Sequence, residues 1–310
     1  MNYRSVFLAA IQAVGLFAAG LIHPIGQILT LVTPVPLIVA YVRNGRQVGL
    51  AALSLSAVLA LLLGGWQAAA ILLFSFGLMS IGIAEGMRRQ MKPEGASLLG
   101  GLLPIAVLGA IVLFYLVRVG KSPVSAVEEY LRESITAATA IYTRMGLAEM
   151  AATVTSVMDS FIYYFARLMP GITVATSIAQ AACCYVIARA VIARRPESAP
   201  VMDRQPFALW HAPDAWVWGL IAALAFSVVP HETPRFIGWN LAILFAVLYL
   251  AQGAAIVEHY LLKARLKPFL RGLIITLLLV LPPTLASVIA LGIVDIWADV
   301  RKVRVPVQAK

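Results

Sequence analysis

Apolar stretches of about twenty residues follow one another along this chain, each long enough for a helix to cross a hydrocarbon core. The first runs from Ser5 to Ile22. A turn at His23-Pro24-Ile25-Gly26 leads into a second that reaches Val42. Thr33-Pro34-Val35-Pro36 lies inside it and predicts a kink or break, because proline removes a backbone donor. Val48–Leu63 and Gln67–Met87 form the third and fourth runs, separated by Gly64-Gly65-Trp66. Connections this short predict two tight helical hairpins. Ser97–Val117, Ile172–Ile192, Ala215–Val229 and Ile237–Leu262 are the next four. The pattern predicts an all-α, polytopic transmembrane helix bundle with about eight spans.

The polar gaps add direction. Every second gap holds a tight basic cluster: Arg43/Arg46, Arg88/Arg89/Lys92, Arg189/Arg194/Arg195/Arg204 and Lys263/Arg265/Lys267/Arg271. Together these contain more than half of the 24 Lys and Arg residues. Positive charge is retained on the cytoplasmic side of such proteins, which predicts a cytoplasmic N-terminus and an uncleaved first span. The last apolar run, Gly272–Trp297, strains the rule. As one helix it crosses once and carries Arg301, Lys302, Arg304 and Lys310 outside. If it turns back at Pro282-Pro283, the tail stays inside, and charge favours this broken or re-entrant form.

The longest stretch that does not read as a span is residues 119–169. Ser122 followed by Pro123 is a helix-start signal, and Ser125 to Glu128 has capping-box form. Val124, Val127, Leu131, Ile135, Ala138, Tyr142 and Met145 recur at helical spacing. After Gly146 so do Met150, Val154, Val157, Phe161, Tyr164 and Leu168. These stripes predict an outer amphipathic helical insertion. The organisation expected is one integral membrane domain over 1–310: five spans in 1–118, the insertion in 119–169, and the remaining spans with a short basic tail in 170–310.

Composition narrows the function classes. Charged residues make up 12% of the chain and hydrophobic ones 61%, far from the roughly 25% charged share of a soluble domain. The net charge of +10 comes mostly from residues at the ends of apolar runs. It therefore orients helices and meets headgroups, and nucleic acid is excluded as a partner. Cys183 and Cys184 are adjacent in an apolar run and the four histidines are scattered, so no metal or other cofactor is expected. Asp214 has the position of a helix cap. No P-loop, zinc-protease motif, nucleophile elbow or catalytic triad occurs, and no acid lies at the centre of a run. The chain is expected not to be an enzyme, nor a proton-driven carrier.

Two families share features with the sequence. The stretch Thr33-Pro-Val-Pro-Leu-Ile-Val-Ala-Tyr to Arg43-Asn-Gly-Arg46, then Val48-Gly-Leu-Ala-Ala, resembles the second and third helices of the substrate-binding S components of energy-coupling-factor vitamin transporters. Ala9 and Ala13 match the small-residue face with which those proteins dock their coupling subunit. Over its full length the chain more closely resembles the YybS-like family of uncharacterised bacterial membrane proteins. That resemblance is carried by the first two hairpins, Leu168-Met-Pro170, Gln252-Gly-Ala-Ala-Ile-Val-Glu-His-Tyr260 and Gly292-Ile-Val-Asp295-Ile-Trp297-Ala-Asp-Val-Arg301. It implies a multi-pass protein of the bacterial inner membrane. The S-component resemblance implies capture of a small solute without ATPase activity, with coupling and ATPase subunits as partners. Outer-side groups suited to such a solute are Gln27, Trp66, Tyr163, Tyr164, Arg167, Trp239 and Asn240. The alternative is a non-transporting scaffold or assembly factor that binds other membrane proteins through residues 124–168 and small-residue helix faces.

Overall fold

A computed structural model of the chain describes residues 3–20, 25–194 and 206–302. Every regular element among them is helical. Two units divide the chain: Met1–Met169 with Thr176–Asp203, and Pro170–Ala175 with Arg204–Lys310.

The first unit opens with α1 (Tyr3–Ala19), α2 (Ile25–Thr30) and α3 (Pro34–Asn44). The expected break falls between α2 and α3, as the prolines require. Pro34 has no N–H, so the chain crosses residues 31–33 in tight turns. The carbonyl of Leu31 is satisfied from another helix, accepting from Gln180 Nε2 and Cys184 Sγ, each at 3.1 Å. Cys184 is buried and Cys183 exposed, and both are free thiols. Cys184 is therefore a packing residue, and it also donates a weak hydrogen bond.

α4 (Arg46–Ile71), a π-helical turn (Leu72–Gly77) and α5 (Leu78–Arg88) follow without a coil between them. They are nevertheless two antiparallel arms. Gly65 has φ 73° and ψ −173°, and the chain reverses there. Gly77 then packs on Leu53, and Glu85 returns to Arg46. A Cβ at Gly65 would meet nothing within 4 Å, so only backbone conformation demands glycine. Gly65→Ala is expected to destabilise the hairpin by about 1–3 kcal/mol. Unfolding in mixed detergent micelles checks this, and an unchanged midpoint would show that the turn has another solution.

α6 (Pro93–Val119) packs on α5 where Gly82 meets Gly100 and Gly86 meets Ala96, which lets the two backbones approach closely. Two apolar clusters result. One joins Ile38 and Tyr41 of α3, Ile83 and Met87 of α5, and Tyr185 and Ile192 of α8 (Ala148–Ala193). The other joins Val6, Ala9 and Ala13 of α1 to Leu37 and Ala40 of α3 and Ala52 of α4.

Before α8 comes α7 (Pro123–Arg144). Ser122 caps it, accepting from Ser125 N–H at 3.0 Å while Ser125 Oγ accepts from Ser122 N–H at 3.1 Å. The box is thus Ser122 with Ser125, one turn earlier than the spacing of Ser125 and Glu128 indicates. α8 has 46 residues and runs through Pro170 instead of starting there. Its length is about 69 Å, more than twice a hydrocarbon core. α7 folds back on its first half as an antiparallel hairpin, joined by Arg132–Asp159 and Glu128–Arg167 ion pairs.

The second unit contains α9 (Trp216–Ser227), α10 (Glu232–Lys263), α11 (Pro268–Val280) and α12 (Pro282–Ala298). At the start of α9, Ala215 precedes Trp216 with helical φ and ψ, and Val217 N–H donates to the carbonyl of Asp214 at 3.2 Å. α11 and α12 meet at a 101° bend. Thr284 Oγ1 donates to the carbonyls of Leu278 and Leu281 there, restoring partners that Pro282-Pro283 remove. The end of α12 lies beside the end of α10: Tyr260 hydroxyl donates to Val300 O at 3.0 Å, and Arg271 at the start of α11 pairs with Glu258. Both ends of the bent last segment therefore lie beside the end of α10. Arg304 and Lys310 lie outside the described residues.

Among the described residues, four segments are long and apolar enough to cross a membrane, or five if the bent pair counts as one: Arg46–Arg88, which is the Gly65 hairpin of two arms, Pro93–Val119, Thr153–Ala193 and Glu232–Lys263. α1 and α9 are apolar but shorter.

Candidate functional site

The most completely built polar cluster is in the second unit. Asp295, near the end of α12, and Gln252, on α10, are both fully buried. After α12 the chain passes through Asp299 at φ 37°, a left-handed conformation that swings Arg301 back onto the bundle. Arg301 NH2 donates to Asp295 Oδ2 at 2.9 Å, and neither side chain is exposed. Gln252 Nε2 donates to the same oxygen at 3.1 Å, and Val300 N–H to Oδ1 at 2.9 Å. The other Arg301 nitrogen, NH1, donates to the carbonyls of Ala208 and Trp210 at 2.8 and 2.9 Å. Gln252 Oε1 accepts from Ala212 N–H at 3.1 Å.

This arrangement is a clamp between three chain segments. The carboxylate accepts three hydrogen bonds and faces a guanidinium in a dry interior, which leaves it without reach to a substrate. It depends on two glycines. A Cβ on Gly253 would come 2.0 Å from Val288 O, and one on Gly292 2.0 Å from Tyr249 O. Only glycine lets α10 and α12 cross this closely. Gln252, Gly253, Tyr260, Gly292, Asp295 and Arg301 all fall within the two motifs that carry the YybS-like resemblance.

A second cluster lies at the basic end of the first unit. Glu85 pairs with Arg46 and Arg89 and accepts from Tyr41 hydroxyl at 3.2 Å. Arg43 donates to the last carbonyls of α8, Val191 O at 2.8 Å and Ile192 O at 3.0 Å, a favourable place for a cation at a helix C-terminus. Three or more His, Cys, Asp or Glu side chains nowhere gather in metal-binding geometry among the described residues.

The residues expected to line a capture site are shared between the two units. Tyr163, Tyr164 and Arg167 stand together on α8: the two rings meet edge to face, and the Arg167 guanidinium lies 3.8 Å from the Tyr163 ring centre while pairing with Glu128. Trp66 sits at the Gly65 reversal and is 72% exposed. These belong to the first unit, whereas Trp239 and Asn240 belong to the second. Trp239 packs on Phe236 and Arg235. Asn240 Oδ1 accepts from Gly171 N–H at 2.6 Å, and its amide donates to Phe236 O at 2.7 Å. The side chain of Gln27 lies outside the described residues. Ala9 and Ala13 are buried against α3 and α4, so the expected docking face is already occupied within the chain.

The insertion also departs from its sequence pattern. Val124, Val127, Leu131 and Ile135 face inward on α7 as expected, but Tyr142 and Met145 are exposed. On α8 the inner face is Val154, Met158, Ile162 and Ala166. Val157, Phe161 and Tyr164 turn outward, at 59%, 48% and 44% exposure. Apolar residues cover more than one face of α8, so their spacing alone does not choose which face packs.

Helical structure throughout, apolar segments of spanning length and buried polar clamps define an integral, multi-helix membrane protein. Residues 10–296 match a family described as predicted membrane protein (DUF2232), and the chain belongs to that family. No curated protein and no solved structure matches it. The clamp is the feature least legible in sequence. Asp295 and Arg301 look like ordinary residues beside a basic tail. The available signal was the pairing of an acid with Gly292 one turn earlier, opposite Gln252-Gly253 on another helix.

Proposed function

We propose that this protein is a non-transporting scaffold of the bacterial inner membrane, with a cytoplasmic N-terminus and no reaction of its own. The observation that carries this reading is the α7–α8 hairpin. Its first 20 or so α8 residues exceed what a bilayer crossing needs, and they present Val157, Phe161 and Tyr164 outward from a helix held in place by ion pairs. An exposed apolar stripe on a rigid helix suits a partner helix laid along it. The partner proposed is an apolar helical segment of another membrane protein on the outer side.

Capture of a small solute is less well supported. It needs the aromatic and polar candidates around one cavity, and it needs a free Ala9/Ala13 face for coupling and ATPase subunits. The alanines are buried against α3 and α4 of the same chain.

Photocrosslinking in living cells tests the proposal, with a photoreactive amino acid at Phe161 and, as control, at exposed Thr136. The expected result is a discrete adduct with a second, different protein from position 161 and none from 136. Adducts with lipid alone, or with another copy of this chain alone, would remove the scaffold reading. A small molecule retained through purification would restore capture.

A further inference from the structure

The basic end of the first unit carries more positive charge than its internal contacts use. Arg43, Arg46, Arg88, Arg89, Lys92 and Arg194 lie where α3, α5 and α8 end and α4 and α6 begin. The acids at that end, among the described residues, are Glu85 and Glu94. Arg46 and Arg89 are held by Glu85, and Arg43 by the α8 carbonyls. Arg88, Lys92 and Arg194 make no ion pair among the described residues.

Arg88 and the turn that carries Lys92 are not loosely placed. The Arg88 guanidinium lies 6.0 Å from the Tyr41 ring centre, with NH1 beside Gly45. The α5–α6 turn is fixed by Met91 N–H donating to Gly86 O at 3.0 Å and by Gln90 at φ 56°. That turn keeps Lys92 within a few residues of Arg88. Met91 is 37% exposed between Arg89 and Lys92. An apolar side chain flanked by cations, one of them unpaired, at the end of apolar helices, matches a bilayer boundary better than open water: hydrocarbon meets the thioether and phosphate meets the charge.

We propose that this end of the first unit is a binding surface for anionic phospholipid, with Arg88, Lys92 and Arg194 meeting the headgroup phosphate. Neutral lipid lacks the net charge to reward these cations. A free phosphate ion would have no use for the apolar border.

Native mass spectrometry of the purified full chain, titrated with phosphatidylglycerol or phosphatidylcholine, tests this. Phosphatidylglycerol is expected to be retained selectively. Lys92→Gln with Arg194→Gln is expected to weaken its binding roughly thirtyfold, since each cation near the headgroups contributes about a factor of five. Lys263→Gln with Lys267→Gln, in the second unit, is expected to bind as the unaltered protein does. Both exposed residues of the first pair leave the packing untouched, and an unchanged elution profile verifies it. Equal binding of the two lipids, no loss in the Lys92/Arg194 variant, or displacement of the lipid by millimolar inorganic phosphate would each overturn the proposal.

Discussion

Asp295→Ala is expected to destabilise the second unit by about 3–5 kcal/mol, because it leaves the Arg301 guanidinium buried without its counter-charge. The loss reaches beyond one ion pair. Asp295 also holds Gln252 and the Val300 amide, while Arg301 holds the carbonyls of Ala208 and Trp210. Removing the acid therefore releases the end of α12 together with the segment before α9. Equilibrium unfolding in mixed detergent micelles measures the effect. A double variant, Asp295→Leu with Arg301→Met, discriminates the cause. If the penalty is an unpaired buried charge, the double variant recovers much of the stability, since apolar side chains of similar size need no counter-ion. A single-variant effect below about 0.5 kcal/mol, the range of ordinary surface substitutions, would mean that water reaches Arg301 and the clamp is not dry.

Gly292→Leu is expected to part α10 from α12. Its Cβ would come 2.0 Å from the backbone oxygen of Tyr249, which no rotamer change relieves. Overpacking of this kind costs about 1–3 kcal/mol, and more where backbone must move. Separation of the helices would also stretch the Gln252–Asp295 hydrogen bond, so the effect is expected to match or exceed that of Asp295→Ala. Gly15→Leu on α1 is the control: nothing lies within 4 Å of a Cβ there, and no loss is expected. Thermal stability in detergent distinguishes the two. Equal behaviour of both variants would show that the α10–α12 crossing tolerates a wider gap.

Neither effect could be anticipated from local pattern, although much else could. The break at Pro34 and the reversal at Gly64-Gly65 are legible in the chain because each rests on the residue itself: proline lacks a donor, and Gly65 adopts a backbone conformation that a side chain forbids. The bend of the last segment is legible for the same reason, since Pro282-Pro283 remove two backbone donors in succession. By contrast, Val157, Phe161 and Tyr164 satisfy helical spacing as well as Met158 and Ile162 do, and only the position of α7 decides between the two faces. Ala9 and Ala13 illustrate the same limit. A small-residue face predicts close packing but does not say whether the neighbour is a partner or, as found, α3 and α4 of the same chain.

What the sequence determined by itself is the helical class, the membrane environment, the places where helices break, and the helix ends at which charge collects. Each follows from a property of single residues or of their spacing: hydropathy, a missing N–H, a permitted φ, a charge at the end of an apolar run. What only the tertiary structure decided is which polar groups meet. Gln252, Asp295 and Arg301 become one clamp because Gly253 and Gly292 let two helices touch and Asp299 turns the chain back. The expected capture residues fall on two units, and no local preference encodes which unit a helix joins.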